Sequence, residues 1–329
     1  MPHILTRTGK GRRTRTGGGI LAALAVAALC LAVPAAAETP LMPRAERDQT
    51  LVIGRITGKI SKQYHRLEAL NDYLVPKLAA VGITQGRVIL ANDASHMATL
   101  LETGQVDYFS ETVFTALRLE MDGHASVLLH EWKDGQPTYK TLFIATKSFA
   151  SEAGADGVAA LAGQRVAFED GDSTSGFLLP YLYLVQHGLK PVPANSLTSP
   201  TPKPPVVSYH FADDETSVLA RVMRGRATAG TVSDIEWPKE MRTPAFRHNL
   251  QVIAETPAVL RSLTMVRGTL PADRKTALAD ALMALNEDDA AGEVKKAYFN
   301  TSKFAPLSQE ARQQLADLRT GITRHMPNP

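Results

Sequence analysis

The chain has a single cysteine, Cys30, among its 329 residues, and only two tryptophans. Cys30 lies in an apolar run near the N-terminus, a run that we expect to be removed during export. A mature protein without cysteine has no disulfide bond, no thiolate metal site and no cysteine nucleophile. These absences exclude disulfide-rich proteins, proteins with cysteine-ligated metal sites and thiol enzymes.

Common catalytic motifs are also missing. The sequence contains no His-Glu-x-x-His zinc motif and no Gly-x-Ser-x-Gly nucleophile elbow. The segment Gly54–Lys59 superficially resembles a phosphate loop, but Ile60 stands where that loop requires serine or threonine. The histidines are scattered without the spacing of metal ligands. We therefore expect no enzyme activity, no metal ion and no cofactor.

The first 37 residues have the composition of a targeting segment. They carry five basic residues and no acidic one, followed by an apolar run at 20–33 and by the triplet Ala35-Ala36-Ala37. This order is typical of a secretory signal peptide. A membrane-spanning helix needs ~20 apolar residues, so a permanent anchor is the less favoured alternative. We predict cleavage near Ala37, a flexible leader over 38–49 and a periplasmic location.

Removal of that segment changes the charge balance. The whole chain has 36 basic and 33 acidic residues, and loss of the five N-terminal basic residues leaves 31 against 33. A nearly neutral mature protein has no basic surface for nucleic acid. Its length of about 290 residues is enough for two domains. We expect a monomer.

Strands and helices alternate along the mature chain, which predicts parallel α/β layers. Strands are predicted at 50–54, 87–91, 106–109, 164–168, 206–211 and 228–232, with helices between most of them. A strand at Thr141–Ala145 is predicted to cross between two lobes. The proline-rich stretch 190–205 is predicted to be an irregular surface loop. Helices are predicted at 277–285, 292–299 and 308–322.

The segment 166–180 carries the strongest functional signal. A buried strand runs into an acidic turn, and Ser173, Thr174 and Ser175 then open a helix. The first N–H groups of a helix lack internal partners and carry partial positive charge. Together with hydroxyl groups they form a compact site for a tetrahedral oxyanion, and Gly176 would allow close approach to the backbone. Simple N-capping is the alternative.

This segment resembles the hallmark of the phosphate/phosphite/phosphonate substrate-binding proteins of ABC importers. In that family a strand, an acidic turn, Ser-Thr-Ser-Gly and a helix with a proline follow one another, as Glu169–Pro180 does here. Leu100–Asp107 matches a further family element, and the resemblance extends over about 51–257.

The resemblance implies an α/β fold of the type II periplasmic binding class. Each of two lobes would contain a mostly parallel sheet flanked by helices, and two crossing strands would join the lobes. We expect the first lobe to comprise 50–143 and 235–329 and the second to comprise 144–234.

The resemblance also implies a set of ligand-binding residues. Ser173, Thr174 and Ser175 would contact the anion, and Tyr139 occupies an aromatic position of the family near the cleft. Asp213 stands where the family has histidine, and Ser233 replaces a pocket aspartate. Other predicted members lie in the loops of the facing lobe or in the helix start: Arg55, Lys59, Thr112 and Gly176.

The acidic turn allows two interpretations. Glu169, Asp170 and Asp172 are either solvated turn residues, with Asp172 as the N-cap, or partners of the ligand. In the second case they would accept a proton from a protonated oxyanion or pair with a ligand ammonium group.

The implied function is binding of a small oxyanion by closure of the cleft, followed by docking on an ABC permease in the inner membrane. One alternative keeps the fold but signals to a membrane sensor kinase or cyclase. A second alternative is an exported enzyme acting on a phosphorylated substrate, for which the sequence offers no convincing nucleophile and base.

Overall fold

A computed structural model describes residues 43–57, 60–194, 196 and 201–326. The predicted signal peptide lies outside these residues, as does Lys59. In chain order the strands are β1 (Thr50–Ile56), β2 (Gln85–Ala91), β3 (Tyr108–Glu111), β4 (Ala125–Trp132), β5 (Thr138–Tyr139), β6 (Thr141–Thr146), β7 (Arg165–Phe168), β8 (Lys190–Pro193), β9 (Val206–Phe211), β10 (Ala229–Ser233), β11 (Leu250–Glu255), β12 (Val259–Leu260), β13 (Ser262–Arg267) and β14 (Lys303–Ala305).

Helices cover the faces of the sheets. They are α1 (Arg44–Arg47), α2 (Ile60–Leu74), α3 (Ala94–Glu102), α4 (Val113–Met121), α5 (Lys147–Ala153), α6 (Leu179–Gln186), α7 (Glu215–Met223), α8 (Trp237–Glu240), α9 (Pro244–Asn249), α10 (Ala272–Ala284), α11 (Gly292–Ala297) and α12 (Gln309–His325). A π-helical turn, Thr174–Leu178, leads directly into α6, and a 3₁₀ segment, Val75–Val81, extends α2. Among the residues described, no helix has both the length and the apolar character needed to cross a bilayer.

The strands form two mixed six-stranded sheets, one for each lobe. The first has the order β14-β4-β13-β3-β1-β2 and the second has the order β11-β6-β10-β7-β9-β8. Strands β1, β2 and β3 are parallel, as are β7, β8, β9 and β10. Strands β6 and β13 run antiparallel to their neighbours because each enters its sheet directly from the hinge. The predicted parallel layers are therefore bordered by antiparallel strands.

Two short strands connect the lobes. β5 and β12 pair antiparallel, with Tyr139 opposite Val259. The strand predicted to cross, Thr141–Ala145, is instead part of β6 in the second sheet. Strand β11 also pairs with β6, so that 141–143 and 250–255 belong to the second sheet. The predicted lobe boundaries at 143 and 235 differ from this pairing, because the chain crosses at β5 and β12.

Local sequence explains how the elements around the cleft begin. Asp93 caps α3, because its carboxylate accepts a hydrogen bond from the N–H of His96 at 2.8 Å. Asp214 caps α7 in the same way through the N–H of Ser217 at 2.6 Å. Such caps satisfy N–H groups that lack intrahelical partners. Gly54 in β1 packs so closely that an added Cβ would lie 2.7 Å from Cγ1 of Val106.

One segment predicted as loop contains a strand. Lys190–Pro193 forms β8 and pairs in parallel with β9 at the outer edge of the second sheet. Proline lacks an N–H donor and is therefore tolerated mainly in edge strands. Proline-rich composition indicates a break in regular structure, but it does not exclude a strand at the edge of a sheet.

The C-terminal helix α12 contacts both lobes and the hinge. The guanidinium of Arg319 donates to Oε2 of Glu120 in α4, with an Nε distance of 2.9 Å. The hydroxyl of Tyr181 in α6 donates to the carbonyl of His325 at 2.9 Å. The Gln314 side chain accepts from the N–H of Leu260 at 3.2 Å in crossing strand β12. Helix α12 therefore spans the joint between the lobes.

Candidate functional site

A cavity of about 360 Å³ lies between the two lobes. Its first wall comes from the ends of β1 and β3 and from the start of α4. Its second wall comes from the turn after β7, the start of α7 and the end of β10. The hinge residue Tyr139 closes one side. The carboxyl ends of β1, β3, β7 and β10 border this cleft, which is where open α/β sheets bind ligands.

The Ser-Thr-Ser segment begins the helical run of the second wall. The Ser173 hydroxyl accepts from the N–H of Gly176 at 2.9 Å, so Ser173 is the N-cap. The same hydroxyl donates to Oε2 of Glu169 at 2.6 Å. The interpretation with Asp172 as the cap is therefore wrong. A carboxylate of the protein itself lies beside the N-cap residue of this helix.

Gly176 makes room for that carboxylate. A Cβ added at Gly176 would lie 2.4 Å from Cβ of Glu169 and 2.5 Å from its Oε2. Gly176 does not line the cavity. The sequence predicted that this glycine admits a ligand to the backbone, but the group that it admits is the side chain of Glu169.

Direct hydrogen bonds join the two walls. Oγ1 of Thr174 accepts from the backbone N–H of Phe114, the second residue of α4, at 2.8 Å. The Thr115 hydroxyl donates to the carbonyl of Asp172 at 3.3 Å, and Arg118 pairs with the Asp172 carboxylate at 3.0 Å. Two helix starts from opposite lobes therefore face each other. The structure represents a closed arrangement.

Two arginines line the first wall and the hinge. The guanidinium of Arg55 donates to the carbonyl of Ser110 at 3.2 Å and lies 4.4 Å from the ring centroid of Phe299. Arg261 follows β12, and its guanidinium lies 4.8 Å from the ring centroid of Tyr139. The Nε atoms of both arginines are buried and have no hydrogen-bond partner in the described part of the chain. A buried donor without an acceptor is costly.

A third cation reinforces the positive charge of this wall. Nζ of Lys133 lies 4.5 Å from the centroid of the Phe299 ring that Arg55 also contacts. Burial and the neighbouring charge of Arg55 lower the pKa of Lys133 to about 8, although Glu131 and Glu111 oppose the shift. The lowered pKa reports mainly the burial of this ammonium group, and the neighbouring Arg55 adds to it.

Carboxylates dominate the second wall. Those lining the cavity from this lobe are Glu169, Asp170, Asp172, Glu215 and Glu236. Burial, followed by the nearby Glu169, raises the pKa of Glu215 to about 8. This occurs even though the N–H of Ser233 donates to Oε1 of Glu215 at 2.6 Å. Burial also raises the pKa of Glu169, against the lowering effect of its hydrogen bond from Ser173.

Tyr139 separates the two walls at the hinge. Its side chain is buried, and this burial raises its pKa to about 12 although Arg261 opposes the shift. The phenol is therefore a neutral hydrogen-bonding group at any physiological pH.

Most of the residues predicted for the site meet in this cleft. The members that line it are Arg55, Thr112, Tyr139, Ser173, Thr174, Ser175 and Ser233. Gly176 lies behind Glu169. Lys59 lies outside the described residues. Contact of the lining residues with a ligand stays a prediction.

Asp213 is placed differently from its prediction. It adopts a left-handed backbone conformation with φ of 74° and is exposed, and its N–H donates to the carbonyl of Glu169 at 2.8 Å. It does not line the cavity. The acidic residue that does so is Glu215, two positions further on. The turn at Asp213 directs the chain into α7, and this brings Glu215 into the cleft.

Sequence reasoning missed Glu215, Arg261 and Thr115. The only signal for Arg261 would have been its position beside the second crossing strand, which the sequence did not reveal. Residues 43–57, 60–194, 196 and 201–326 contain no cluster of three or more side chains able to hold a metal ion.

Comparison with known proteins identifies relatives of this architecture. The sequence profile of the family described as "ABC transporter, phosphonate, periplasmic substrate-binding protein" matches residues 59–311. XAC2383 from Xanthomonas citri, in a structure bound to ATP, is 31% identical with a TM-score of 0.76, over 85% of this chain and 100% of that chain. Its structure bound to a chloride ion gives the same identity and TM-score over 84% and 98%.

More distant structures share the fold. PhnD1 from Prochlorococcus marinus, in complex with methylphosphonate, is 17% identical with a TM-score of 0.60, over 84% of this chain and 99% of that chain. The aliphatic sulphonate binding protein SsuA from Escherichia coli is 15% identical with a TM-score of 0.53, over 85% and 94%. The two-lobed periplasmic binding fold is thus common to all three relatives.

Proposed function

Because the chain belongs to the periplasmic phosphonate-binding proteins of ABC transporters, we propose that it binds a small phosphorus oxyanion in the cleft. Phosphate, phosphite and phosphonates are the ligands in question. The protein would then present the closed form to a permease in the inner membrane. Closure of the lobes is the functional step, and no bond is made or broken.

The observation that carries this proposal is the pair of guanidinium groups, those of Arg55 and Arg261, in the lining of the cavity between the lobes. An oxyanion offers several lone pairs to such donors, and charge-assisted bonds of this kind are the strong ones. Hydroxyl groups complete the lining, from Thr112, Ser175 and Ser233. The structures of XAC2383 with chloride and with ATP support anion binding in a relative of 31% identity.

We further propose that residues 1–37 are removed on export, leaving a monomer that begins at Glu38. Mass spectrometry of the protein isolated from the periplasm tests this step, because it reports the mass of the processed chain. A retained N-terminal segment would contradict it.

Thermal unfolding with a panel of anions tests the ligand class. The panel contains phosphate, phosphite, methylphosphonate, aminoethylphosphonate, sulfate, chloride, ATP and small carboxylates. A ligand at 100 times its dissociation constant stabilises the folded state by ~2.7 kcal/mol, which raises the unfolding midpoint visibly. We expect the largest rise with a phosphorus oxyanion.

Arg261→Gln should abolish that rise, because it removes a cation from the cleft. Arg312→Gln is the matched control, since Arg312 is exposed on α12. No rise with any phosphorus oxyanion in the wild-type protein would refute the proposed ligand class.

A further inference from the structure

A second cavity, of about 460 Å³, lies beside the hinge. Helix α6, the segment 256–259 and helix α12 form its walls, and we call it the hinge pocket. Among the residues described, it shares none with the lining of the cleft, and it is larger than the cleft cavity of about 360 Å³. Its volume lies within the range of small-molecule sites, roughly 300–1,000 Å³.

The walls of the hinge pocket are mainly aliphatic. The side chains that form them come from all three elements: Leu179, Leu182, Val185, Pro257, Val259 and Leu318. Val185 and Leu318 are only partly buried and Pro257 is exposed, so apolar surface in the pocket remains in contact with solvent. Removal of such surface from water stabilises a complex. The walls therefore favour an occupant with an aliphatic body.

Gly321 contributes to the space in the pocket. Most lining residues of α12 are three or four positions apart and so share one face of the helix, and Gly321 lies near the middle of this face. A Cβ added at Gly321 would lie 3.0 Å from Cδ1 of Leu182 in α6. Glycine is unfavourable inside a helix, and the close approach of α6 to α12 explains its presence here.

Arg324 provides a positive charge at the rim of the hinge pocket. It is exposed and forms no salt bridge within the described part of the chain. The lining contains one carboxylate, Asp317, which accepts a hydrogen bond from the amide of Gln313 at 2.9 Å. A guanidinium without an acidic partner favours a carboxylate as the polar end of an occupant.

One apolar layer separates the hinge pocket from the cleft. Tyr139, Leu179 and Val259 form a hydrophobic cluster, against which Ile235 and Leu318 pack. Leu179, Val259 and Leu318 line the hinge pocket, whereas Tyr139 and Ile235 line the cleft. A change of packing on one side therefore reaches the other side through side chains that are in contact.

The shape of the hinge pocket depends on the position of the lobes. Helix α6 belongs to the second lobe, whereas Arg319 ties α12 to Glu120 in the first. Gln314 holds α12 to the crossing segment, because its amide accepts from the N–H of Leu260 at 3.2 Å and donates to the carbonyl of Ala258 at 2.8 Å. Opening of the cleft would shift α6 relative to α12 and alter the pocket. A molecule that fits the pocket described here therefore favours the closed arrangement.

We propose that the hinge pocket binds a free aliphatic carboxylate of medium chain length, with its carboxylate on Arg324, and that this binding holds the lobes closed. The acid is a second ligand, and its binding does not depend on which molecule occupies the cleft. Occupation of the hinge pocket would raise the affinity of the cleft for its own ligand. By linkage, the cleft ligand would raise the affinity for the acid by the same factor.

Calorimetric titration of the processed protein with octanoate, below its micelle concentration, tests the site. Octan-1-ol has the same chain without the charge, and octylammonium has the opposite charge. We expect octanoate to bind about tenfold more tightly than octan-1-ol, the effect of one charge-assisted hydrogen bond, and octylammonium not to bind. Tighter binding of octylammonium would place the polar end on Asp317, and equal binding of octanoate and octan-1-ol would remove the role of Arg324. Either result would overturn the proposed ligand class, as would no binding of octanoate.

Two pairs of matched variants locate the acid. Val185→Trp fills the pocket and should abolish octanoate binding, whereas Val252→Trp makes the same change at an exposed position of β11 outside the lining. Arg324→Gln should reduce the affinity for octanoate to that for octan-1-ol, and Arg312→Gln is its control on the exposed surface of α12. Because Arg324 is exposed, its variant remains informative if the tryptophan disturbs the packing of α6. Octanoate binding that is unchanged in Arg324→Gln would overturn the proposed site.

Small-angle scattering without any cleft ligand tests the effect on closure. The wild-type protein and Thr174→Val, which lacks one bond across the cleft, are measured with and without saturating octanoate. We expect octanoate to lower the radius of gyration, with the larger change in Thr174→Val. An unchanged radius in both proteins, with octanoate bound, would overturn the coupling to closure. Since no cleft ligand is present, these results stand whether or not a phosphorus oxyanion binds in the cleft.

Discussion

Glu215 combines a buried position with a carboxyl group that keeps its proton at neutral pH. Burial and the neighbouring Glu169 raise its pKa to about 8, while the bond from the Ser233 N–H lowers it. Glu236 faces the same group and adds to the rise. The neutral form of Glu215 therefore limits the charge repulsion within the acidic wall.

The titration of Glu215 should affect stability with a defined sign. Since its folded-state pKa of about 8 exceeds the ordinary value of 4.5, the folded protein binds an extra proton between these values. The stabilisation from this group is complete below pH 4.5 and is lost as the pH rises through 8. Glu215→Gln cannot titrate, so its unfolding midpoint relative to wild type should rise from pH 5 to pH 9. Thermal unfolding across this range measures the difference, and a constant difference would contradict the prediction.

Individual positions show how far sequence reasoning reaches. The hydroxyl run 173–175 identified a wall of the cleft because helix starts with several hydroxyl groups bind anions. The sequence did not show that Glu169 folds back onto this start, since that contact depends on the tertiary path of the acidic turn. The sequence placed Asp213 in the site, whereas the structure places Glu215 there. The cause is similar, because Asp213 forms a left-handed turn whose direction the sequence did not reveal.

Helix α12 lies across the joint that must move when the cleft opens. It is attached to the first lobe through Arg319 and Glu120, and to the second lobe through Tyr181. The sequence predicted a helix over 308–322, which agrees with the observed Gln309–His325 to within a few residues. Its bridging position was not predictable, because the partners on α4 and α6 are distant in sequence. The same reason explains why the positions of the crossing strands β5 and β12 were not predicted, although the resemblance implied two such strands.

The Arg319–Glu120 pair should stabilise the fold measurably. Both side chains are partly buried, so the pair is worth more than an exposed salt bridge and we expect Arg319→Met to cost about 1–2 kcal/mol. Urea unfolding measures this loss. The double variant with Glu120→Gln should be no less stable than Arg319→Met alone.

Arg312→Met provides the control, because it makes the same change at an exposed position of the same helix. Equal losses of unfolding free energy in Arg312→Met and Arg319→Met would show that removal of any arginine from this helix destabilises the protein. The bridging pair would then have no special role.

The closed arrangement of the two lobes depends on contacts made by the protein alone. The Thr174–Phe114 bond, the Thr115–Asp172 bond and the Arg118–Asp172 pair connect the walls across the cleft. Thr174 is 1% exposed, so the loss of its hydroxyl would leave the N–H of Phe114 without an acceptor. Closure of the cleft is thus coupled to the hydrogen bond that satisfies the backbone N–H of Phe114.

Thr174→Val should shift the protein towards open forms. A hydrogen bond contributes about 1 kcal/mol net, which corresponds to roughly a fivefold change in the ratio of closed to open molecules. Small-angle scattering and fluorescence transfer between labelled lobes measure this ratio. Thr174→Ser retains the hydroxyl and should behave like wild type. Identical distances in the Val and Ser variants would show that this bond does not hold the lobes together.

The same cross-cleft bonds affect how clearly a partner can distinguish occupied from empty protein. A receptor that recognises the closed form would also respond to molecules that are held closed by these protein contacts alone. The bonds of Thr174, Thr115 and Arg118 would therefore produce a background response. Stronger cross-cleft contacts would raise this background response and reduce the further response on ligand binding. Weaker contacts would require more of the ligand's binding energy to close the cleft. If a partner recognises the closed form, the interface between the lobes would affect both this background response and the affinity for the ligand.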